Sequence, residues 1–315
     1  MKKLAIPDTD LTVSALCYGT GDIGHDMDDE TAAALFNVYR DGGGNFIDTA
    51  HAYSCWTSAG AGSSELAIAR YLKTNPRNDF VIATKGGHPG MGGYRRVDRY
   101  LDPCRIRCDI EDSLGRLEVD TIDLYYLHRD DTRCGVGEII DMLNREIQAG
   151  TIRYLGASNW TKERIRAANE YAARKGLQGF VISQAELSLA HKEPAEEMPT
   201  GAQNLYATKD DLAFHADTGL PLCAYTSAAK GYFADGTDKG AEYDSPLSRD
   251  RRARARKLAG DKGCAPTQIA LAWLMNQDFP CIPITGSISV KNLKENLGAA
   301  EILLTREEVR WLYGS

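Results

Sequence analysis

The sequence predicts a closed (β/α)8 TIM barrel, one domain over residues 1–315, with an N-terminal β-hairpin cap and a C-terminal helix. Three observations carry this. First, eight short apolar or β-branched runs alternate with eight stretches of helical period, a pattern that calls for parallel strands joined by right-handed crossovers. Second, no domain-sized segment interrupts the alternation, and 315 residues suit a single barrel with insertions. Third, a polar residue ends almost every apolar run, as expected where the strand ends of a barrel converge on one face. An open doubly wound sheet is the competing architecture. It would be expected to place GxGxxG after its first strand, whereas the glycines there read Gly19-Thr20-Gly21 and then Gly24.

Taken in order, alternating segments between Lys2 and Val13 flank Pro7-Asp8-Thr9-Asp10, the turn-rich centre of a hairpin. Strands are expected at 15–18, 45–48, 80–84, 122–127, 154–156, 179–183, 220–224 and 281–284. Helices are expected at 29–42, 64–73, 103–117, 136–149, 161–175, 207–218, 266–277 and 289–299. Ser63 ahead of Glu65, Asp102-Pro103, Thr161 and Thr305 have the chemistry of helix N-termini, and Gly42-Gly43-Gly44 that of a helix terminator. Longer loops at 86–101, 186–205 and 230–244 should overhang one face.

Composition narrows the function classes. Hydrophobic residues at 43% and charged residues at 26% describe a folded, soluble chain with material for a core. A formal charge of −7 and a pI near 5.5 argue against nucleic-acid binding. One basic run, Arg249 to Lys257, dissents; its arginines interleave with alanines and read as a solvated helix face, with a nucleotide phosphate contact as the alternative. The eight cysteines (Cys17, Cys55, Cys104, Cys108, Cys134, Cys223, Cys264 and Cys281) form no CxxC pair and no metal-ligand spacing with His, so reduced thiols and no metal are expected. After Met1-Lys2-Lys3 comes a mixed segment with Pro7 and Asp8 rather than an apolar signal region, and no run of about 18 apolar residues occurs. A cytoplasmic protein without membrane association is the expectation.

The residues that end the strands form the candidate site: Asp48 and Tyr53, Lys85, His128, Ser158-Asn159, Gln184, Tyr225, and Gly286-Ser287. Separately each has a plain structural use, since Asp ends strands as a turn former and Lys lies on surfaces. Together, Asp48, Tyr53, Lys85 and His128 on neighbouring positions of one rim could form a proton-transfer unit. An ammonium beside a phenol should lower its pKa, a carboxylate fixes the lysine, and a histidine can donate to a substrate oxygen.

These residues also carry a resemblance. The segments GGGNFIDTAHAY, VIATKGG, IDLYYLHRD, YLGASNW, ISQAELS, LCAYTSAAKG, APTQIALAWLMNQ and GSISVKNLKEN resemble, in order and spacing, the aldo-keto reductase superfamily from residue 4 to 312. The resemblance implies hydride transfer between a nicotinamide cofactor and a small-molecule carbonyl or sugar. In it Tyr53 is the general acid, Lys85 and Asp48 tune it, and His128 orients the carbonyl. It further implies that Ser158, Asn159 and Gln184 hold the carboxamide and that Tyr225 stacks on the ring. Thr226, Ser227 and Ala228, in a segment running to Gly231, would line the pyrophosphate, and Gly19 and Thr20 join the cofactor set. Gly286 and Ser287 would lie near the ribose and its phosphate, with Asn292 nearby and Glu295 and Asn296 on adenine.

The sequence also departs from its relatives. The eighth-strand segment has Gly286, Ile288 and Asn292, with Lys291 one position away, where many members place Lys or Arg against a 2′-phosphate. NADP(H) is expected on the family's habit, with NAD(H) the alternative. Thr226-Ser227-Ala228 stands where Ser-Pro-Leu is frequent. The chain ends soon after the 305–313 segment, which implies an open pocket walled by Trp56, His88, Tyr94, Trp160 and the 186–204 loop. A cofactor-binding regulatory subunit of the potassium-channel β type is the rival reading.

Overall fold

Each of the eight apolar runs becomes a strand, and the eight close on themselves. The computed structural model describes residues 1–25, 27–91, 94–96, 99–193, 201–234 and 239–314. An antiparallel hairpin of β1 (Lys3–Ala5) and β2 (Thr12–Ser14) comes first. The first half of the barrel follows as β3 (Cys17–Gly19), α1 (Asp29–Asp41), β4 (Phe46–Asp48), α2 (Ser63–Leu72) and β5 (Val81–Gly86). A small hairpin, β6 (Gly90–Met91) with β7 (Tyr94–Arg95), interrupts before α3 (Pro103–Leu117). The chain continues through β8 (Ile122–Leu127), α4 (Val136–Ala149), β9 (Ile152–Ser158), α5 (Lys162–Lys175), β10 (Phe180–Glu186), α6 (Lys209–Thr218) and β11 (Leu222–Tyr225). It ends with α7 (Pro246–Lys262), α8 (Pro266–Met275), β12 (Cys281–Thr285), α9 (Val290–Gly298) and α10 (Arg306–Tyr313). The barrel order is β3-β4-β5-β8-β9-β10-β11-β12, closing on β3, with every pair parallel. This is a (β/α)8 TIM barrel.

Local chemistry explains the boundaries. The first barrel strand starts at Cys17 rather than at 15 because Ala15 N is still bonded to Lys2 O, and Ser14 Oγ turns back to Leu16 O. β9 and β10 run longer than their apolar cores suggest, since Ser158 and Gln184 remain in the ladder as paired residues. Asp102 caps α3 through Cys104 N ahead of Pro103, Thr161 caps α5 through Arg164 N, and Thr305 with Glu308 forms a capping box on α10. The helix α2 differs: its N-cap is Gly62 in the left-handed region at φ 88°, with Ser63 the first helical residue.

The barrel is filled by Cys17, Phe46, Ala83, Leu124, Tyr126, Ile182, Cys223 and Ile282, and the hairpin residues Ile6, Leu11 and Val13 join this cluster as the cap. Side chains of this size contribute on the order of 1.5–3 kcal/mol each when fully buried. Two larger apolar clusters lie between the strands and the surrounding helices.

The helix α7 is one the apolar periodicity does not announce, and it corrects in part the reading of the basic run as a solvated face: Arg249, Arg256 and Lys257 are exposed, but Arg251, Arg252 and Arg254 are not. Arg251 is only 4% exposed; Nε donates to Tyr313 O at 3.0 Å and Nη1 to Leu189 O at 3.1 Å, with the guanidinium 3.9 Å from the Tyr313 ring centre. Arg254 donates to Trp311 O and Arg252 to Ala234 O. Carbonyls at the end of α10 need donors, and this run supplies them. The side chains that do so are long stems with charged tips, so no apolar period marks them. None of these arginines lines the cavity at the strand ends.

Candidate active site

Asp48 is the last residue of β4, and the register pairs it with Ala83 of β5. Lys85 stands two residues further on and so projects from the same side of the ladder, toward the C-terminal rim. Both side chains are essentially sealed, at 1% exposure each. Lys85 Nζ donates to Asp48 Oδ2 at 2.6 Å, to Thr49 O at 2.8 Å and to Tyr53 Oη at 2.8 Å, which uses all three ammonium hydrogens. Asp48 Oδ1 accepts from Gln184 Nε2 at 3.0 Å, and Tyr53 Oη lies 3.5 Å from Asp48 Oδ2. Each member therefore fixes the next.

The electrostatics follow from this geometry. Burial pushes the Lys85 ammonium toward its neutral form, but Asp48 and Tyr53 outweigh it and leave its pKa above the ordinary lysine value. For Tyr53 burial pushes the pKa up, Lys85 pulls it down and Asp48 pushes it up; burial wins. This corrects the expectation that the ammonium would lower the phenol: its pull is present and smaller than desolvation. Tyr53 keeps the proton that an ordinary phenol carries at neutral pH, the state a general acid needs.

His128 follows β8, with its backbone N donating to Gly86 O at 2.7 Å. Burial, then His88, Arg129 and Lys85, hold its pKa well below the usual histidine value, so the imidazole is neutral. Its Nδ1 is buried without a hydrogen-bond partner. The ring sits edge-on to Tyr53, centroids 5.8 Å apart, and to His88 at 4.7 Å. His88 itself is lowered to about 3, by burial first and then by Arg129 and Arg96.

Beside this cluster lies an amide and hydroxyl network. Ser158 Oγ donates to Gln184 Oε1 at 3.2 Å, and Asn159 Nδ2 donates to Ser158 Oγ at 3.0 Å. Asn159, left-handed at φ 58°, accepts at Oδ1 from Leu205 N at 2.9 Å and Tyr225 Oη at 2.7 Å. The loop after β11 holds three non-glycine residues in the left-handed region, Thr226 at 53°, Ala229 at 47° and Lys230 at 51°. That conformation costs about 1–2 kcal/mol per residue and is typically retained at ligand-binding turns.

A cavity of about 480 Å³ opens at this rim. Of the residues singled out from the sequence, Gly19, Asp48, Tyr53, His128, Ser158, Asn159, Gln184, Tyr225, Thr226, Ser227, Ala228 and Gly286 line it. Lys85 and Thr20 lie beneath, with Thr20 Oγ1 donating to Asp48 O at 3.0 Å and bonding Ser64 Oγ. Ser287, Asn292, Glu295 and Asn296 lie outside the lining: Asn292 and Glu295 are exposed, and Asn296 is buried with Nδ2 on Thr285 Oγ1 at 2.9 Å.

None of the expected walls Trp56, His88 and Tyr94 lines this cavity: Trp56 stands edge-on to Tyr53 at 6.3 Å and is 48% exposed, His88 packs on His128, and Tyr94 Oη bonds His51 Nδ1 at 3.0 Å. Trp160 is a correction. It is 4% exposed, packed edge-on against Phe180 and under Arg164, and it lines a separate cavity of about 210 Å³ beside α5 and α6. An indole gains more by burial between helix and barrel than at an open rim. Within the 186–204 loop, residues 194–200 lie outside the described residues, and Asn204 reaches the cavity. Sequence reasoning missed Arg129, Asn204 and Asp22, which also line it. Arg129 was in view directly after His128; Asn204 has no local signal, because only folding brings its loop to the rim.

The fold and site thus define a (β/α)8 barrel with a buried carboxylate, ammonium, phenol and imidazole at its C-terminal rim. The sequence profile of the Aldo/keto reductase family matches residues 15–313. Probable aldo-keto reductase 1 of Glycine max is 27% identical, covering 94% of this chain and 83% of its own length. Norsolorinic acid reductase B of Aspergillus parasiticus is 30% identical, covering 96% and 81%, and uncharacterized oxidoreductase YrpG of Bacillus subtilis is 29% identical, covering 96% and 92%. A crystal structure of the thermostable aldo-keto reductase Tm1743 with the inhibitor epalrestat superposes with a TM-score of 0.78 over 100% of this chain and 99% of that one, at 24% identity, and shows the same fold. The chain belongs to the aldo/keto reductase family, whose named relatives here are oxidoreductases. No helix among the described residues is long and apolar enough to cross a membrane.

Proposed function

We propose that this protein is an NAD(P)H-dependent reductase of aldehyde, ketone or sugar carbonyls. The observation that carries the reading is the position of Lys85 Nζ, 2.8 Å from Tyr53 Oη and 2.6 Å from Asp48 Oδ2, beneath an open cavity. Tyr53 Oη gives its proton to the carbonyl oxygen as negative charge grows there. Lys85 stabilises the phenolate left behind, and Asp48 keeps Lys85 charged and in place. Neutral His128 donates its ring N–H to the same oxygen and fixes which face of the carbonyl is presented.

The residues present fit a nicotinamide cofactor. Ser158 and the Gln184 amide keep donor and acceptor capacity for a carboxamide, braced by Asn159, whose own amide is fully bonded; the half-buried Tyr225 offers a ring face, and the strained 226–231 turn suits a diphosphate. When bound, that cofactor supplies the hydride. For the cofactor's far end we favour NADPH, supported by the exposed Lys291 and Lys294 that follow Gly286-Ser287 on α9. The mean hydropathy of −0.37 and net charge of −7 support a soluble protein that does not bind nucleic acid, which we place in the cytoplasm.

The test is oxidation of NADPH and NADH against a carbonyl panel with Tyr53→Phe as control. The variant is expected to keep cofactor binding, read as quenched protein fluorescence, while turnover falls by about 100-fold or more. Undiminished turnover in Tyr53→Phe would sink the mechanism.

A further inference from the structure

We propose that Arg129 is an anion-recognition residue of the cavity and that the natural carbonyl substrate carries a carboxylate within its reach. The proposal rests on the reductase reading above and adds the chemical class of the substrate.

Arg129 follows His128 at the end of β8 and lines the same cavity as Tyr53, His128 and Tyr225. Its guanidinium donates to two neutral acceptors, His128 O from Nη1 at 2.8 Å and Asn204 Oδ1 from Nη2. Other arginines near this face sit against carboxylates: Arg96 on Asp109, Arg116 on Glu65, Arg133 on Asp131 and Arg164 on Asp130. Among the described residues no carboxylate lies within 4.0 Å of Arg129. The other cation of the cavity wall, Lys230, is exposed and paired with Glu242 at 2.7 Å. Of the wall's two carboxylates, Asp48 is paired with Lys85, and Asp22 stands by Gly21.

A guanidinium has five N–H donors, so two bonds leave three. Nε has no partner among the described residues yet is not among the sealed, unpartnered polar atoms, and Arg129 lines the cavity, so donors are left for a ligand there. Arg129 is half-buried, and burial pulls its pKa down against the opposing effect of Tyr225, Tyr53 and Tyr100, so the charge is partly desolvated. Holding a cation there without a counter-ion is costly. A ligand carboxylate removes that cost and matches the planar fork of the guanidinium in a bidentate pair. The neighbours Tyr53 and His128 place such a carboxylate on the substrate. Thr226, Ser227, Ala228 and Lys230 of the turn that suits a diphosphate line the same cavity, and the cofactor-affinity readout below separates the two anions.

The experiment compares Arg129→Met and Arg129→Lys with the parent protein, using two pairs of aldehydes alike in size: 4-carboxybenzaldehyde with 4-methylbenzaldehyde, and succinic semialdehyde with pentanal. The parent is expected to prefer the carboxylated member of each pair. In Arg129→Met, kcat/KM for those members should fall about 10- to 100-fold, mostly in KM, while the uncharged aldehydes change less than about threefold. Arg129→Lys should recover part of the loss. Calorimetric titration of the cofactor-loaded protein with benzoate and benzamide reads the site without turnover; benzoate should bind, and Arg129→Met should weaken it about tenfold while leaving benzamide unchanged. Equal losses on charged and uncharged ligands would overturn the proposal and make Arg129 a support for His128. A fall in cofactor affinity with no carboxylate effect would overturn it in favour of a phosphate contact. If no aldehyde turns over yet benzoate binding depends on Arg129, the reductase reading fails and the anion site stands.

Discussion

Replacing Lys85 with Met separates what the Asp48–Lys85 pair does for folding from what it does for chemistry. The substitution removes an ammonium that is 1% exposed and leaves the Asp48 carboxylate, also 1% exposed, with Gln184 Nε2 and the distant Tyr53 Oη as its donors. Breaking a buried pair from one side costs about 3–5 kcal/mol, because a charge stays behind without its partner. With an unfolding entropy of about 2.1 cal/mol/K per residue, a 315-residue chain has about 0.7 kcal/mol/K at its midpoint. The expected fall in Tm is therefore about 4–7 °C. Adding Asp48→Asn removes the stranded charge while keeping the shape, so the double variant should return to within about 2 °C of the parent. Turnover should stay about 100-fold down in both, since Tyr53 has lost the cation that stabilises its conjugate base. Calorimetric melting and nicotinamide oxidation on the same samples give both readings. A Lys85→Met midpoint within 2 °C of the parent, or a double variant no more stable than Lys85→Met, would refute the account of the pair.

Two further predictions concern acid and the C-terminal helix. His128, His88 and His215 all have folded-state pKa values below the ordinary histidine value, chiefly through burial, with His88 at about 3. The unfolded chain thus binds more protons below pH 6.5, so the stability these groups permit is complete above that pH and is lost as pH falls toward the folded values. Urea midpoints from pH 8 to 4 should drop with a slope that His88→Asn lessens by up to one proton, about 1.4 kcal/mol per pH unit; an unchanged slope would count against it. Arg251→Met should cost about 1–3 kcal/mol by removing the donors to Tyr313 O and Leu189 O, and should speed amide exchange in α10 selectively. Uniform exchange across the chain would show that Arg251 does not anchor that helix.

Much of this protein is determined by local sequence. Alternation of apolar runs with helical periods fixes a parallel barrel, because the pattern repeats eight times and the chain has few other ways to bury those faces. Asp102-Pro103, Thr161 and Thr305 mark helix starts by chemistry that acts over three residues. The strand-end rule likewise selects Asp48, Tyr53, Lys85 and His128, since the barrel's topology gathers all strand ends on one rim.

What required the tertiary structure is whatever depends on distance between remote segments or on the loss of water. Arg251 reads as a solvated charge until α10 is seen to need its donors, and Trp160 reads as a pocket wall until Phe180 takes it inward. The direction of the Tyr53 pKa shift turns on a contest in which Lys85 pulls it down, and burial, a property of the whole fold, outweighs that pull. Arg129 stood in plain view beside His128, yet nothing in its neighbours tells that the guanidinium meets Asn204 and no carboxylate among the described residues. Patterns over a few residues fix backbone and facing. Charge and exposure are settled by contacts the chain makes only after it has closed.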